Sequence, residues 1–463
     1  MAKARTQYVC GNCGHVESKW VGRCPACGEW NTLEEAAPAS VASTARIAVS
    51  ASRSVATASR LSEVETGNSD RLVTRIQEFN RVMGGGLVRD SLTILSSPPG
   101  CGKSSLALMI AQDLAEQGHK ALYASGEESA SQIKRRADRI LDGISDNLWI
   151  LSDTSMNNVL RHIETIDADF IVTDSIQTFV MDGVDSRPGS PTQTMQCAGE
   201  LLHIAKDPVR PRAVIMIGQM TKENELAGLR ALEHMVDTVL LMDSNTGEEI
   251  RSLYCSKNRF GSTGEMGFFS MTESGLVSID NPSAYFMTKR ETGETVSGSA
   301  LTVVREGSRP IIVEIESLVS RSFTPYPTRI GESLKRDQLN TLVSILEQRA
   351  DITLFDKNVI LKTTGGLRLS ENAVSLCVIM SIVSSVFHKG IAGDTLFIAD
   401  VGLTGELKKV PSLESRIKEA DRMGFRRVFV AKDAALRTQE PLRIQVVRCK
   451  TVKQVIAAAF SSN

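Results

Sequence analysis

Short runs of aliphatic and β-branched residues recur along this chain, separated by stretches whose apolar residues fall at three- and four-residue spacing. The first set lies at 92–95, 121–124, 170–173, 214–217 and 239–242. Helical periodicity separates the first four runs, and that alternation predicts a parallel sheet built from βα units. A second alternation starts near Thr302, with strands expected at 311–315, 359–362, 396–399 and 428–431 and helices around 333–349, 371–387 and 412–423. Asn281 and Pro282, in polar surroundings, are the weakest link between the two, which places a boundary near residue 285.

Ahead of the first strand the texture differs. Residues 36–60 are rich in Ala, Ser and Thr, carry no periodicity, and read as a flexible linker. Residues 8–31 form a compact unit of their own. The expected organisation is a small N-terminal domain at 1–35, a linker at 36–70, one α/β domain at 71–285 and a second at 286–463.

A length of 463 residues agrees with several folded units, because single domains hold roughly 100–200 residues. The composition is that of a soluble globular protein, 42% hydrophobic and 23% charged with a net charge of −1. Nucleic-acid binding would therefore need a local basic surface. The longest uncharged apolar run, 373–387, holds four serines and falls short of the ~20 residues of a membrane span, so it reads as a buried helix. The opening MAKARTQYVC has no apolar leader, and a cytoplasmic protein without membrane association is expected.

Four of the nine cysteines crowd the first 28 residues. Cys10 and Cys13, then Cys24 and Cys27, form two Cys-x2-Cys pairs that supply a complete tetrahedral thiolate shell for a structural Zn2+. Lys19, Trp20, Arg23 and Trp30 around them make either a basic-aromatic contact surface or the miniature core and rim of the unit.

The decisive chemistry follows the 92–95 run. Ser97-Pro98-Pro99-Gly100-Cys101-Gly102-Lys103-Ser104-Ser105 leads from a strand into an apolar-periodic helix, which is the setting of a phosphate-binding loop for ATP. Backbone N–H groups and the helix N-terminus present donors to the β-phosphate. Lys103 reaches the β- and γ-phosphates and the Ser104 hydroxyl ligates Mg2+. Ser97 stands where the strict motif has glycine; serine is tolerated there if its φ is negative. Asp174, ending the apolar run at 170–173, is placed to hold Mg2+ through water. Glu127 and Glu128 sit just past another strand, at the edge where parallel sheets present their ligands, and one of them can activate the attacking water.

These features together resemble the bacterial RadA (Sms) family of DNA repair proteins, across nearly the whole chain. The resemblance rests on the paired Cys-x2-Cys motifs, SPPGCGKS, YASGEES at 123–129, TKENELAGLRALEHMVDTVL at 221–240, Lys257-Asn-Arg-Phe-Gly261 and TGEL at 404–407. It implies an α/β fold with a RecA-like P-loop core, a four-cysteine zinc ribbon and a C-terminal domain like that of Lon protease. It further implies an ATP-driven hexameric ring on single-stranded and branched DNA, extending heteroduplex alongside the RecA recombinase. By similarity Glu127 is the catalytic glutamate, Lys257 and Arg259 couple nucleotide state to DNA binding, and Gln219 occupies a γ-phosphate sensor position where the family has histidine. Asp90 stands where glycine is usual.

In the last third a Lon-type site would need a serine activated by a lysine. The corresponding position is Arg416, which cannot serve as a base; Ser370 reads as an N-cap and Ser375 as a helix residue. A basic stretch from Lys408 to Arg427 reads either as a DNA-binding surface or as a solvated helix face. The leading expectation is a DNA-dependent ATPase for branch migration. The alternatives are an ATP switch that binds without translocating and an ATP-dependent protease.

Overall fold

The computed structural model describes residues 7–10, 15–17, 19–30, 32–36, 60, 62, 71–219, 230–243, 249–291, 294–436 and 441–460. The expected linker at 36–70 and Cys13 lie almost wholly or wholly outside them. At the N-terminus, β1 (Gln7–Cys10) pairs antiparallel with β2 (Val16–Glu17) and β3 (Leu33–Ala36). Its core is Cys10, Cys24 and Leu33 with Tyr8 packed against them. So small a unit buries too little surface to hold itself and needs a metal or another staple.

The chain divides into two compact units, the second beginning at Ile279 and taking in the short stretches 245–248 and 264–268. In the first, β4 (Arg71–Leu72), α1 (Gln77–Met83) and β5 (Leu87–Val88) precede a nine-stranded sheet. Its strands and helices follow in order: β6 (Leu92–Ser97), α2 (Lys103–Glu116), β7 (Ala121–Ser125), α3 (Ala130–Ile140), β8 (Leu148–Ser152), α4 (Met156–Ile166), β9 (Phe170–Asp174), α5 (Pro191–Ala205) and β10 (Ala213–Gln219). Then come α6 (Arg230–Met235), β11 (Thr238–Asp243), β12 (Ile250–Asn258), β13 (Met266–Thr272) and β14 (Gly275–Ser278). The spatial order is β14-β13-β12-β11-β6-β10-β9-β7-β8, and the six strands from β11 to β8 run parallel.

Alternate residues of these strands enter two separate cores. Leu95, Val172, Ile215 and Ile217 pack with α2 on one face, while Ile94, Ile171, Val214 and Met216 pack with α4 and α5 on the other. Burial on both faces is why the strands read as unbroken apolar runs. Asp90 enters β6 with φ +66°, in the left-handed region where glycine is the cheapest residue.

In the second unit β15 (Ser299–Glu306), β16 (Arg309–Arg321), β17 (Arg329–Gly331), α7 (Arg336–Ala350), β18 (Lys357–Thr363), α8 (Ser375–Phe387), β19 (Thr395–Ile398), β20 (Asp400–Val401) and β21 (Leu407–Lys408) follow one another. They lead to α9 (Leu413–Arg422), β22 (Arg427–Ala431), β23 (Gln445–Cys449) and α10 (Val452–Phe460). The main sheet has the order β17-β18-β16-β15-β19-β22-β23. The apolar run at 373–387 is a core helix: Ser381 bonds Ser317 (2.6 Å), Ser384 donates to the Lys389 carbonyl (2.6 Å), and Ser385 accepts from Val319 N–H (3.0 Å). Among the described residues no helix is long and apolar enough to cross a membrane.

Three sequence expectations are settled in this unit. Ser370 is not an N-cap: a 3-10 turn at Asn372–Val374, capped by Glu371, enters α8, so Ser370 precedes the cap. Arg416 is 1% exposed and donates to both oxygens of Glu371 and to the carbonyls of Val303 and Pro411. It is a buried structural cation. The basic stretch is largely neutralised, since Lys418 pairs with Glu414, Arg422 with Glu419 and Arg426 with Asp394.

Glu306, at the end of β15, is pushed up to about 7 by burial and by the neighbouring Glu371 carboxylate. The unfolded chain loses this proton near the usual carboxylate value, so the folded state is penalised as pH rises from about 4.5 to 7. Glu306→Gln should therefore stabilise the protein by about 1–3 kcal/mol at pH 8 and by little at pH 5. Denaturant midpoints at the two pH values measure this; equal effects at both would contradict it.

Candidate nucleotide site and zinc ribbon

Parallel register brings the ends of four strands together. Ser97 of β6 lies opposite Gln219 of β10, and Asp174 of β9 opposite Ser125 of β7. Beyond β6 the chain turns through Gly100 (φ +82°) and Gly102 (φ +102°) into α2. A Cβ on Gly100 would meet nothing within 4 Å, so the loop faces open space there. A Cβ on Gly102 would lie 2.7 Å from Met271 and 3.2 Å from Leu276, so the other side of the loop is packed on β13 and β14. Ser97 stays within the strand, fully buried, which is how a serine is accommodated where the motif has glycine. Cys101 is buried, Pro99 is exposed, and Pro98, Ser104 and Ser105 are partly exposed.

Lys103 is the first residue of α2, and its Nζ donates to the Ser97 carbonyl at 3.3 Å. Burial lowers its pKa, opposed by the negative charge of Asp174 and Glu127. The lysine and both carboxylates thus share one electrostatic neighbourhood.

The two adjacent glutamates have different fates. Glu128 pairs with Arg136 of α3. Glu127 is exposed, and its Oε1 accepts from Gln219 Nε2 (2.9 Å) and from the Ser175 hydroxyl. The turn that carries it is tight: a Cβ on Gly126 would meet Thr178 Oγ1 at 2.2 Å, and Ser125 Oγ accepts from the N–H groups of Glu127 and Glu128. Of the two, Glu127 is the exposed one and the one that could reach a water beside a bound phosphate.

Asp174 is buried, and one of its oxygens accepts from Tyr123 O–H at 2.5 Å. Tyr123 is fully buried; burial, reinforced by the Asp174 charge, drives its pKa well up, so it remains a donor. Asp174 and Ser104 are the residues that could hold Mg2+. Tyr123 and Ser175 are partners that sequence reasoning did not single out. In the sequence Tyr123 looks like one more apolar strand residue.

The Lys257-Asn-Arg-Phe-Gly261 element is anchored within its own chain. Lys257 Nζ donates to the carbonyls of Glu233 (2.6 Å), His234 (3.3 Å) and Val236 (2.8 Å), closing the C-terminal end of α6. Arg259 pairs at 3.2 Å with Asp237, a carboxylate 1% exposed that also pairs with Lys206 and accepts from Leu92 N–H. Residues 220–229, just before α6, lie outside the described set. The loop at 180–190 is tied down by Gln193, which bonds the backbone of Met181, Val184 and Ser186.

In the ribbon, the Sγ atoms of Cys10, Cys24 and Cys27 lie within 4.8 Å of one another, with Cys10 and Cys27 at 3.7 Å. Tetrahedral zinc with bonds of about 2.3 Å places its sulfurs about 3.8 Å apart, so this geometry fits Zn2+ and is far too long for a disulfide. Cys24 N–H and Gly28 N–H close the second turn on Glu29 and Cys24 carbonyls.

Comparison with known proteins places this architecture. Residues 8–35 match the rubredoxin metal binding domain and residues 57–225 an AAA domain. DNA repair protein RadA of Bacillus subtilis is 39% identical over 99% of this chain and 100% of its own. The chain belongs to the RadA family. Its Listeria monocytogenes member is 38% identical over the same extent, and a Streptococcus pyogenes member 39% identical over the whole of both chains. The crystal structure of the RadB recombinase covers 45% of this chain and 100% of that one at 21% identity and a TM-score of 0.37. The ribbon and the first α/β unit of this chain thus match a metal binding domain and an AAA domain.

Tyr123→Phe keeps the ring in its core and removes only the donor to Asp174. Loss of such an outer hydrogen bond typically costs 10–100-fold in metal affinity or activity. Titrating Mg2+ against ATP hydrolysis should show at least a tenfold higher Mg2+ requirement, with thermal stability nearly unchanged. An unaltered Mg2+ requirement would show that Tyr123 only packs.

Proposed function

We propose that this RadA-family chain is a DNA-dependent ATPase that drives branch migration during recombinational repair. It acts as a hexameric ring on single-stranded and branched DNA, together with the RecA recombinase, in the cytoplasm. The observation that carries this reading is the bond from Gln219 to Glu127. It ties the glutamate best placed to activate water to the last residue of β10, where the segment 220–229 departs. A DNA-dependent shift at the end of β10 would move Gln219 and alter the hold on Glu127. The names of the curated relatives, DNA repair protein RadA, support the setting.

In this mechanism the loop from Ser97 to Ser105 binds the phosphates and Lys103 neutralises charge developing on the γ-phosphate. Asp174, steadied by Tyr123, and Ser104 would hold Mg2+, which when bound would supply charge neutralisation to the transferred group. Glu127 orients and deprotonates the attacking water. Lys257 and Arg259 couple nucleotide state to DNA by fixing the end of α6 and the buried Asp237. Domain roles follow: ribbon at 1–35, linker at 36–70, motor at 71–285 and a non-proteolytic scaffold at 286–463. A protease reading lacks its base, because Arg416 is spent on Glu371.

The test is a three-strand branch-migration reaction started from recombinase-made joints. Wild type with ATP should convert joints to full heteroduplex, and Lys103→Ala should not, with its ATP turnover reduced by about 100-fold or more. Hydrolysis stimulated by single-stranded DNA without any branch migration would instead support a switch that does not translocate.

A further inference from the structure

The zinc ribbon leaves its two largest side chains outside. Trp20 is 55% and Trp30 68% exposed, while the core it does form consists of Cys10, Cys24, Leu33 and part of Tyr8. A unit this short of buried surface gains by covering indoles of 150–250 Å2 each. Their exposure removes both indoles from the miniature core and leaves them on its rim, where a contact surface would lie.

The rings are held in place. Trp20 Nε1 donates to the Leu33 carbonyl at 3.1 Å. Trp30 is bridged across the turn to Arg23, whose guanidinium lies 5.8 Å from the ring centroid while its Nε donates to the Gly28 carbonyl at 2.7 Å. Both indoles flank Gly22: a Cβ there would sit 3.8 Å from Trp20 Cη2 and 3.8 Å from Trp30 Cζ3. Fixing the rings before binding reduces the ordering cost of a contact.

The free chemistry selects the occupant. With its indole N–H consumed by the backbone, Trp20 offers a π-face and no hydrogen-bond donor. Among the described residues neither Lys19 nor Arg23 is ion-paired and both are exposed, Lys19 directly before Trp20 in the chain and Arg23 over the Trp30 ring. Aromatic faces next to unpaired cations suit a ligand with flat rings strung on an anionic backbone, which is single-stranded nucleic acid. In a duplex the base faces are already stacked on each other and inaccessible. We infer that the zinc ribbon is a second nucleic-acid contact, stacking unpaired bases on Trp20 and Trp30 with Lys19 and Arg23 against the adjacent phosphates. Contact through ring faces makes it tolerant of sequence. It does not depend on the motor reading, since nothing in the nucleotide site enters the argument.

The experiment uses the full chain and its own fluorescence. The protein has three tryptophans, and the third, Trp149, is partly buried on β8. In Trp149→Phe the ribbon indoles are the only reporters. A thymidine oligonucleotide should quench them saturably at fixed salt, while an abasic oligonucleotide of equal length and a blunt duplex should not. Trp30→Ala, with its zinc content checked, should weaken the oligonucleotide response about tenfold or more, and Trp30→Tyr should restore much of it. Absence of quenching by thymidine oligonucleotide overturns the inference. So does equal quenching by the abasic strand, which would reduce the patch to phosphate attraction, and so does quenching by a protein partner alone. The branch-migration result is independent of all three.

Discussion

Everything at the nucleotide site depends on parallel register between β6, β10, β9 and β7. Register sets Ser97 opposite Gln219 and Asp174 opposite Ser125, so four strand ends finish at one edge with their backbone groups already satisfied by the neighbouring strand. A slip of one residue would turn Leu95 and Ile94 toward the wrong cores and send Asp174 to the opposite face. Two separate apolar clusters resist that slip from both faces. The polar groups at the edge are thus located by apolar packing behind them.

The acids at this edge are held in different ways. The buried Tyr123 fixes the buried Asp174, and the half-buried Arg136 fixes Glu128. Glu127 itself is exposed, held from the solvent side by Gln219 and from the interior by the buried Ser175 hydroxyl. Under the proposed function, the buried Asp174 would serve the metal and the exposed Glu127 the attacking water. The Lys257 element holds α6, because its ammonium group closes three carbonyls at the helix end.

Much of this was legible in the sequence where burial is two-sided. Continuous apolar runs gave the parallel strands within a residue or two, and the glycine-lysine-serine turn gave the start of α2. What was not legible depends on which neighbour a side chain finds. Tyr123 sits in an apolar run and reads as packing, yet its hydroxyl meets Asp174 fifty-one positions on. Ser175 follows an acid and carries no motif. The partners of Lys257, three carbonyls at the end of α6, carry no sequence signal either. The choice between Glu127 and Glu128 turned on Arg136, one face of α3 away. In the C-terminal unit Arg416 and the basic stretch carry charge in the sequence, and acids remote or near in the chain neutralise most of it.

The account stands on Glu127 as the group that activates water at this edge. The direct measurement is ATP turnover by Glu127→Gln in the full-length protein, alongside its equilibrium affinity for ATP. The amide keeps the size and the hydrogen bond of the side chain but cannot take a proton. Turnover reduced by about 100-fold or more with ATP affinity preserved is the predicted result. Turnover within tenfold of wild type would contradict it and place the catalytic base elsewhere.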